Sequence, residues 1–378
     1  MIRTILLLSP VYISFFWMII LHLESRKSGS PKRFLGKFMM VTSVLYFSHF
    51  LFFSRLFHIY IFFDAFYTSA SLAVYPMYYI YVRLLTGELV FSFRKHAPYL
   101  FIPILFFVFD AIALLIPGRE ARMDYITRIL TGIDPPQGNT VIPYSIYIAG
   151  RVVFILQVIV YMLFVNKLLR RHRQRLADFY SEPGDRSLRW VSILNILYFI
   201  ASIASISLAF IGRERFLVND ILLVFPSIVF SVLLFIIGYL GSRQNPSPSP
   251  LKYADNGGDI TELNESARDK LRKDMEILFE KDKIYLLKDL KISDVSNRLG
   301  TNRTYVSNII NRHYKVNFAG YVNNYRVNYA RELLKDQPGI GVEELTDRSG
   351  FGSVNSLYRA FQSKENISLS RYRKKYMA

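Results

Sequence analysis

The C-terminal part of the chain is organised by residues 291–312, KISDVSNRLGTNRTYVSNIINR. Apolar residues recur there at helical spacing on both sides of Gly300, a residue suited to a tight turn. We expect one helix from Lys291 to Leu299 and a second that starts at Asn302, whose side chain can cap free amides, and ends near Arg312. The inward residues are expected to be Ile292, Val295, Leu299, Val306, Ile309 and Ile310. Two short helices around such a turn are typical of a helix-turn-helix.

A second copy of this pattern follows a longer amphipathic helix. The longer helix is expected from Phe318 to Lys335, ending before Pro338, with Val322, Tyr325, Tyr329, Ala330 and Leu333 on its apolar face. A short helix from Val342 to Arg348, a turn at Gly350 and a helix capped by Ser353 come next, the last with Leu357 and Phe361 inward. The sequence therefore predicts an all-α domain with two helix-turn-helix motifs joined by a linker helix.

Four segments of this region resemble a known family. They are LGTNRTYVSN (299–308), YRVNYARELL (325–334), GFGSVNSLYRAF (350–361) and SRYR (370–373). In this order and spacing they are similar to the DNA-binding domain of AraC/XylS regulators, from about Ile284 to Tyr376. Ser296, Ile310 and the run 367–370 depart from the usual pattern. The whole layout also resembles AraC-type regulators with a multi-span membrane region at the N-terminus.

The resemblance implies that each recognition helix enters the major groove of double-stranded DNA. The groove-facing side chains are then Arg303, Thr304, Ser307, Asn308 and Asn311 in the first helix, and Asn355, Ser356, Tyr358 and Arg359 in the second. Arg312, at the end of the first helix, is a further DNA-binding residue. Arginine pairs well with guanine and asparagine with adenine, so Arg359, Asn308 and Asn355 are the first candidates for base contacts. Contacts with phosphate are expected from Arg312, Lys315, Arg371, Arg373, Lys374 and Lys375.

Some of these residues have a structural alternative. The family pattern favours a structural salt bridge for Arg326 on the linker helix. A basic run such as 373–375 is usually a solvated helix end. For Arg359 the base contact is favoured, because its helix offers no evident acidic partner.

Composition divides the chain at Gly241. The protein has 378 residues, 52% of them hydrophobic, which is too apolar for one ordinary soluble domain. Residues 1–241 contain 23 Lys and Arg against 12 Asp and Glu, and the remainder contains 24 against 17. The absence of cysteine excludes disulfides, thiolate zinc sites and cysteine nucleophiles. We expect a membrane part followed by a nucleic-acid-binding part.

Seven apolar runs are long enough to cross a bilayer. They are Ile5–Leu23, Phe38–Phe57, Ile59–Val82, Tyr99–Ile116, Tyr144–Val165, Val191–Phe210 and Ile221–Leu240. Lys and Arg in the connections alternate, with fifteen on one side and seven on the other. The richer side should be cytoplasmic. This predicts a multi-pass protein of the bacterial inner membrane, with the N-terminus outside and everything beyond Gly241 in the cytoplasm.

The tail after the last span begins with a tether. Residues 242–260 are rich in Pro, Ser and Gly and cannot bury a core. The DNA-binding domain is expected at 261–378, starting with an amphipathic helix that presents Leu263, Ala267, Leu271, Met275 and Leu278 on one face. That face would pack on its own domain or, as the alternative, on a second chain to form a homodimer.

Ionisable residues inside the expected spans cluster at one depth. His49, Asp64, Asp110, Arg151 and Asp220 all fall in the outer half under this topology. Ionisable groups in lipid are costly and are usually functional or paired. They are therefore candidates for a ligand-binding site, and Asp110 is expected to face Arg151. A structural ion pair that holds the bundle together is an equal alternative.

These features favour a membrane-bound, sequence-specific transcriptional regulator that couples an extracytoplasmic or membrane signal to transcription. Its expected partners are double-stranded DNA, the lipid bilayer, RNA polymerase and an unidentified signal ligand, with no cofactor, metal or catalytic residue. The alternative is a polytopic transporter or enzyme with an appended DNA-binding module. No HExxH, GxSxG or Walker pattern supports an enzyme. No inverted repeat supports a transporter.

Overall fold

A computed structural model describes residues 2–24, 30–87, 91–182, 184, 188–211, 213–218, 220–243 and 265–376, with only some side chains in 204–221. The chain forms two compact units. The N-terminal unit comprises residues 1–169 and 188–249, and the C-terminal unit comprises residues 170–187 and 250–378. Both are all-α in their described parts, where an isolated bridge between Tyr180 and Lys291 is the only strand-like pairing.

The N-terminal unit is built from long apolar helices joined by short ones. They are α1 (Ile2–Glu24), α2 (Pro31–Phe53), α3 (Phe57–Tyr60), α4 (Asp64–Leu85), α5 (Phe93–His96), α6 (Phe101–Ala113), α7 (Arg119–Asp124), α8 (Val141–Phe179), α9 (Arg189–Ile211), α10 (Arg213–Val218) and α11 (Asp220–Ser242). Single turns lie at Ala97–Leu100, Tyr125–Ile129 and Gly138–Thr140. Helix α4 packs against both α2 and α6, which buries most of its side chains, including Tyr75, Tyr78 and Tyr81.

In the described part of this unit, five helices are long and apolar enough to cross a membrane, judged by length and composition. They are Arg3–Glu24, Pro31–Phe53, Phe93–Ala113, Gly138–Phe179 and Leu222–Ser242. The expected third and sixth spans fall on α4 and α9. Helix α4 carries buried Asp64, Thr68 and tyrosines, and the apolar stretch described in α9, Arg189–Ile203, is shorter. The number of crossings therefore stays a prediction.

Large apolar side chains are exposed along the outside of these helices. Phe15, Phe109, Leu156, Leu163 and Phe225 are each about half exposed or more. Soluble proteins rarely expose apolar surface on this scale, and a lipid environment accommodates it. The N-terminal unit is therefore suited to a membrane.

The C-terminal unit contains seven helices in its part after residue 264. They are α12 (Glu265–Glu280), α13 (Ile292–Arg298), α14 (Arg303–His313), α15 (Phe318–Asp336), α16 (Val342–Arg348), α17 (Val354–Glu365) and α18 (Leu369–Tyr376), with a single turn at Ile284–Leu286. Each helix-turn-helix has its own apolar core, and α15 contributes to both. Its Val322 is buried with Val306 of α14, whereas its Ala330 is buried with Leu357 of α17.

Local signals placed these helices well. The bounds of α13 to α16 agree with the expected helices to within one or two residues, and α17 begins directly after its expected cap, Ser353. The face of α12 that carries Leu271, Met275 and Leu278 is buried, together with Phe279, whose ring lies 4.9 Å from that of Tyr321. The face thus packs on its own unit. Leu263 and most of the expected tether lie outside the described residues.

One feature of the C-terminal unit was not expected from the sequence. Residues 170–187, which follow the expected fifth span, belong to this unit. Leu176, Phe179 and Tyr180 are buried in the same core as Met275 and Val306. A stretch that the sequence indicated as a membrane-side connection therefore completes the core beneath the first helix-turn-helix.

Candidate nucleic-acid interface

The first candidate recognition helix is α14. Oδ1 of Asn302 accepts hydrogen bonds from the amides of Thr304 and Tyr305, at 2.9 and 3.1 Å, which confirms the expected cap. Val306, Ile309 and Ile310 are buried. The turn before the helix passes through Gly300, which has a φ of +61°. This φ is favourable for glycine and strained for other residues.

The second candidate recognition helix is α17. The hydroxyl of Ser353 accepts a hydrogen bond from the amide of Ser356 at 3.2 Å, and Leu357 and Phe361 are buried. The preceding turn uses Gly350, with a φ of +79°. A Cβ atom there would lie 2.6 Å from Cα of Leu286. Glycine is thus required by the backbone conformation and by close packing on the turn at Ile284–Leu286.

All ten residues expected to face DNA lie on the outer faces of α14 and α17. None of the ten is buried, and Asn311, Arg312, Asn355, Tyr358 and Arg359 are exposed. The buried apolar residues described above occupy the opposite face of each helix. The two helices therefore present polar and cationic groups to solvent, as a groove-facing surface requires. Contact with bases stays a prediction for each residue.

The polar groups on these faces bond to one another. Nε of Arg359 donates to the carbonyl oxygen of Asn355 at 3.1 Å, and its Nη2 lies 3.5 Å from the hydroxyl of Ser356. Nδ2 of Asn311 donates to the hydroxyl of Ser307 at 3.3 Å. Each of these contacts lies within one helix and is exposed, so the donors can turn outward to a base edge at small cost.

The cations that are expected to contact phosphate differ in the exposure of their side chains. Arg312, Lys315, Arg371, Lys374 and Lys375 are exposed. Nη2 of Arg373 instead donates to the carbonyl oxygen of Ile340 at 2.7 Å, and its side chain is half-buried. Arg373 therefore ties α18 to the loop before α16.

Arg326 on α15 has the structural role expected for it, with a partner that the sequence did not indicate. The side chain is fully buried, and Nη1 pairs with Oε1 of Glu182 at 3.2 Å. Its Nε and Nη2 donate to the carbonyl oxygens of Tyr285 and Leu287, both at 2.7 Å. Burial lowers the pKa of Arg326 to about 10, so the guanidinium stays charged at neutral pH.

Glu182 joins this arginine to the second helix-turn-helix. Its Oε1 also accepts a hydrogen bond from the amide of Gly352 at 2.8 Å, in the turn just before α17. The neighbouring amide of Ser181 donates to the carbonyl oxygen of Leu290 at 3.0 Å, just before α13. The segment 180–182 therefore contacts the chain just before α13 and the turn just before α17.

The N-terminal unit contains a cavity of about 460 Å³, which His49 and Arg151 help to line. Asp64 accepts a hydrogen bond from Oη of Tyr60 at 2.6 Å. Asp110 is buried and bonded to the hydroxyl of Thr68, and the ion pairs between described side chains do not include Asp110 with Arg151. The side chain of Asp220 lies outside the described residues.

Arg213 is a cavity residue that the sequence analysis missed. It was counted there only among the cations of a connecting loop, and a loop charge carries no signal of burial. The described residues contain no group of His, Asp and Glu side chains that could hold a metal ion.

Comparison with known proteins agrees with the architecture of the C-terminal unit. A family model described as "Helix-turn-helix domain" matches residues 295–375. A search of the curated proteins and of the solved structures finds no match to the chain. The matched stretch runs from α13 to α18 and contains both motifs and the linker helix. Residues 295–375 are therefore a C-terminal DNA-binding domain of the AraC type, and the protein is a DNA-binding transcriptional regulator.

Proposed function

We propose that the protein is a membrane-bound, one-component regulator in which a signal received by the N-terminal unit changes DNA binding by the AraC-type domain. The observation that carries this proposal is that the two ends of helix α8 belong to different units. Tyr147 and Arg151, near its start, line the cavity of the N-terminal unit. Leu176 and Phe179, near its end, are buried in the core of the C-terminal unit. One continuous helix thus serves a ligand-sized cavity and a DNA-binding core.

A helix is a stiff element, so a shift at one end is carried to the other. The segment after α8 contacts the linker helix through Arg326 and the turn before α17 through the amide of Gly352. A small rotation of α8 would therefore displace the contacts with Arg326 and with the amide of Gly352. The second of these lies just before the second recognition helix. These contacts support coupling of the cavity to DNA binding by a displacement of α8. Such coupling requires that each unit have two discrete arrangements.

The charge distribution supports an orientation in the bacterial inner membrane. Connections rich in Lys and Arg lie on the same side as the tail, which places the N-terminus outside and the DNA-binding domain in the cytoplasm. The cavity residues His49, Arg151 and Arg213 then lie in the outer half of the bilayer. Under this topology the ligand enters from outside or from the membrane.

RNA polymerase is the partner that a transcriptional regulator acts on, and we infer contact with it. A homodimer would need a surface other than the apolar face of α12, because that face is buried in its own unit.

Two matched insertions test the coupling. One alanine inserted between Leu169 and Arg170 rotates the end of α8 by about 100° relative to its start. One alanine inserted between Asn256 and Gly257 lengthens the Pro/Ser/Gly-rich tether, which carries no such rotation. We expect the first insertion to lock transcription from a reporter promoter in one state and the second to leave it regulated. Loss of regulation by the tether insertion alone would overturn the proposal.

The cavity also suits a solute to be transported, which favours a transporter with a DNA-binding module as the second candidate. Uptake of labelled solutes by vesicles that contain the protein tests it. Uptake above that of protein-free vesicles would support transport.

A further inference from the structure

The cavity of the N-terminal unit has the lining of a site for a specific class of ligand. It lies among α2, α4, α8, α9, α10 and α11, and its volume of about 460 Å³ falls in the range of small-molecule sites. Its chemistry is uneven, with two arginines and a histidine in a lining whose surface is otherwise mostly apolar. The inference below rests on the proposed function, since it names the class of signal that the regulator would bind.

Arg213 lies in an aromatic box beside the cavity. Its Cζ atom is 4.7 Å from the ring centre of Phe52, 4.9 Å from that of Tyr147 and 5.6 Å from that of Tyr67. Rings at these distances hold a guanidinium but leave its N–H groups without acceptors. Nη1 is buried and has no hydrogen-bond partner among the described residues. A buried, charged donor in this state favours an acceptor supplied by a ligand.

A second arginine, Arg151, also contacts the ring of Tyr147. Nη1 of Arg151 donates to Oη of Tyr147 at 3.1 Å, and its Cζ lies 5.4 Å from the same ring. Tyr147 therefore brings Arg151 and Arg213 to one side of the cavity. His49, whose ring centre lies 4.5 Å from that of Phe53, adds a further nitrogen group to the lining.

The carboxylates described near the cavity lie outside its lining. None of the described residues that line the cavity is an aspartate or glutamate. Asp64 and Asp110 lie nearby, where the hydroxyls of Tyr60 and Thr68 bond to them. Asp64 lowers the cost of burying Arg213, whose Nη1 still lacks an acceptor among the described residues and can bind an anion.

Most of the remaining lining surface is apolar, with hydroxyl groups of Ser71, Ser202 and Ser227 and of several tyrosines interspersed. Phe216, Leu223, Pro226 and Phe230 are among its residues, and these side chains offer no hydrogen bonds. A fully charged small ion would leave this part of the cavity without a suitable occupant. A molecule with one acidic group and an apolar body would satisfy both sides.

We propose that the cavity binds an amphipathic organic anion, with its carboxylate or phosphate against Arg213 and Arg151 and its apolar body against Phe216 and Phe230. The occupant is either a free amphiphile or an anionic membrane lipid, which share this chemistry. Its binding would hold Tyr147 and Arg151, and with them α8, in one arrangement.

The test measures binding to the full chain in nanodiscs of phosphatidylcholine. Thermal unfolding is followed while decanoate, decyl phosphate, decanol or decyltrimethylammonium is added. We expect a saturable rise in Tm with the two anions and a smaller one with the alcohol and the cation. Arg213→Gln should weaken anion binding by about tenfold or more, since a charge-assisted hydrogen bond is lost.

Arg83→Gln is the matched control. Nη1 of Arg83 also donates to a tyrosine hydroxyl, that of Tyr99 at 2.8 Å, and its Cζ also lies over tyrosine rings, but it does not line the cavity. It should bind decanoate as the wild type does. If Arg213→Gln does not fold, Arg151→Gln is judged by the same criterion, and Arg213→Lys should keep the preference for anions.

Further nanodiscs that contain phosphatidylglycerol separate the two sources. A rise in Tm that replaces the decanoate effect identifies a lipid occupant, and a persisting decanoate effect identifies a free amphiphile. Equal responses to decanoate and decanol, or an unchanged anion preference in the cavity variants, would overturn the proposal. Because no DNA is involved, that result would leave coupling through α8 to be decided by the insertion experiment.

Discussion

Glu182 and Arg326 form an ion pair of 3.2 Å between residues that are 144 positions apart in the chain. The arginine is fully buried, and the glutamate side chain is 13% exposed. A pair in this environment is costly to separate, because the partner that remains is a buried charge. The contact ties the end of the α8 segment to the linker helix of the DNA-binding domain.

Replacing Glu182 by alanine should destabilise the C-terminal unit by about 3 kcal/mol, the lower end for breaking a buried pair, because Arg326 keeps its carbonyl acceptors. The amide of Gly352 would also lose its acceptor. We expect faster hydrogen–deuterium exchange in the turn before α17 and at Arg326, measured on the full chain in nanodiscs.

Glu344→Ala is the control for this change. Glu344 pairs with Arg348 at 3.3 Å within α16, and its side chain is 59% exposed. Exposed pairs of this kind contribute little to stability. Similar exchange rates in the two variants would show that the contact of Glu182 stabilises the unit no more than the exposed pair of Glu344 does.

Acid should weaken the contact between α12 and the first helix-turn-helix. Oη of Tyr314 donates to Oε1 of Glu276 at 2.7 Å, and this bond, with that from Arg272, lowers the pKa of Glu276 below its ordinary value. A carboxylate with a lowered pKa stabilises the fold at neutral pH and loses that contribution as the pH falls through the folded-state pKa. In urea unfolding of the full chain in nanodiscs, Glu276→Gln should lower the stability of the C-terminal unit relative to wild type at neutral pH. The difference should vanish in acid, and a constant difference at all pH values would contradict this origin.

The local parts of this architecture could be predicted because their causes are local. The caps at Asn302 and Ser353 act on amides two or three residues away, and the positive φ of Gly350 belongs to that residue's own turn. Such signals are present in a short stretch of sequence.

The long-range parts could not be predicted because their causes lie far apart in the chain. Nothing near Glu182 marks it as the partner of Arg326, and a polar connection between apolar helices carries no pattern for docking. Arg213 was visible only as a loop cation, although three rings from other helices surround it. The cavity results from the packing of six helices, which no single span encodes.

The topology makes a direct prediction for reporter fusions. Fusions after Gly87, Arg175 and Ser242 should report the cytoplasm, and fusions after Arg122 and Arg213 should report the outside, because Lys and Arg are concentrated on the first side. Paired alkaline phosphatase and fluorescent protein fusions measure this. A cytoplasmic signal at Arg122 would contradict the orientation and the outward position of the cavity.

The two turn glycines should differ in their tolerance of alanine. Gly300→Ala meets no atom within 4 Å and should cost about 1 to 2 kcal/mol for the left-handed backbone alone. Gly350→Ala adds a clash with the backbone of Leu286 and should cost about 3 kcal/mol or more. Urea unfolding of the C-terminal unit, followed on the full chain in nanodiscs, compares them. Equal costs would mean that the turn of the second motif can move away from Leu286.

Arg359 provides the sharpest test of how the domain recognises DNA. Its side chain is exposed on α17, and its hydrogen bonds to described residues lie within that helix, so no ion pair with a described residue holds it away from a groove. If it contacts a guanine, Arg359→Ala should cost about 1 to 3 kcal/mol at one base position and relax specificity there. Arg312→Ala, at the exposed end of α14, should instead weaken binding to all sequences and reduce the salt dependence by about one counterion. Binding of the full chain in nanodiscs to a library of sites at several salt concentrations separates the two. Uniform weakening by Arg359→Ala would assign that residue to phosphate, and base recognition by α17 would then have to come from Asn355, Ser356 or Tyr358.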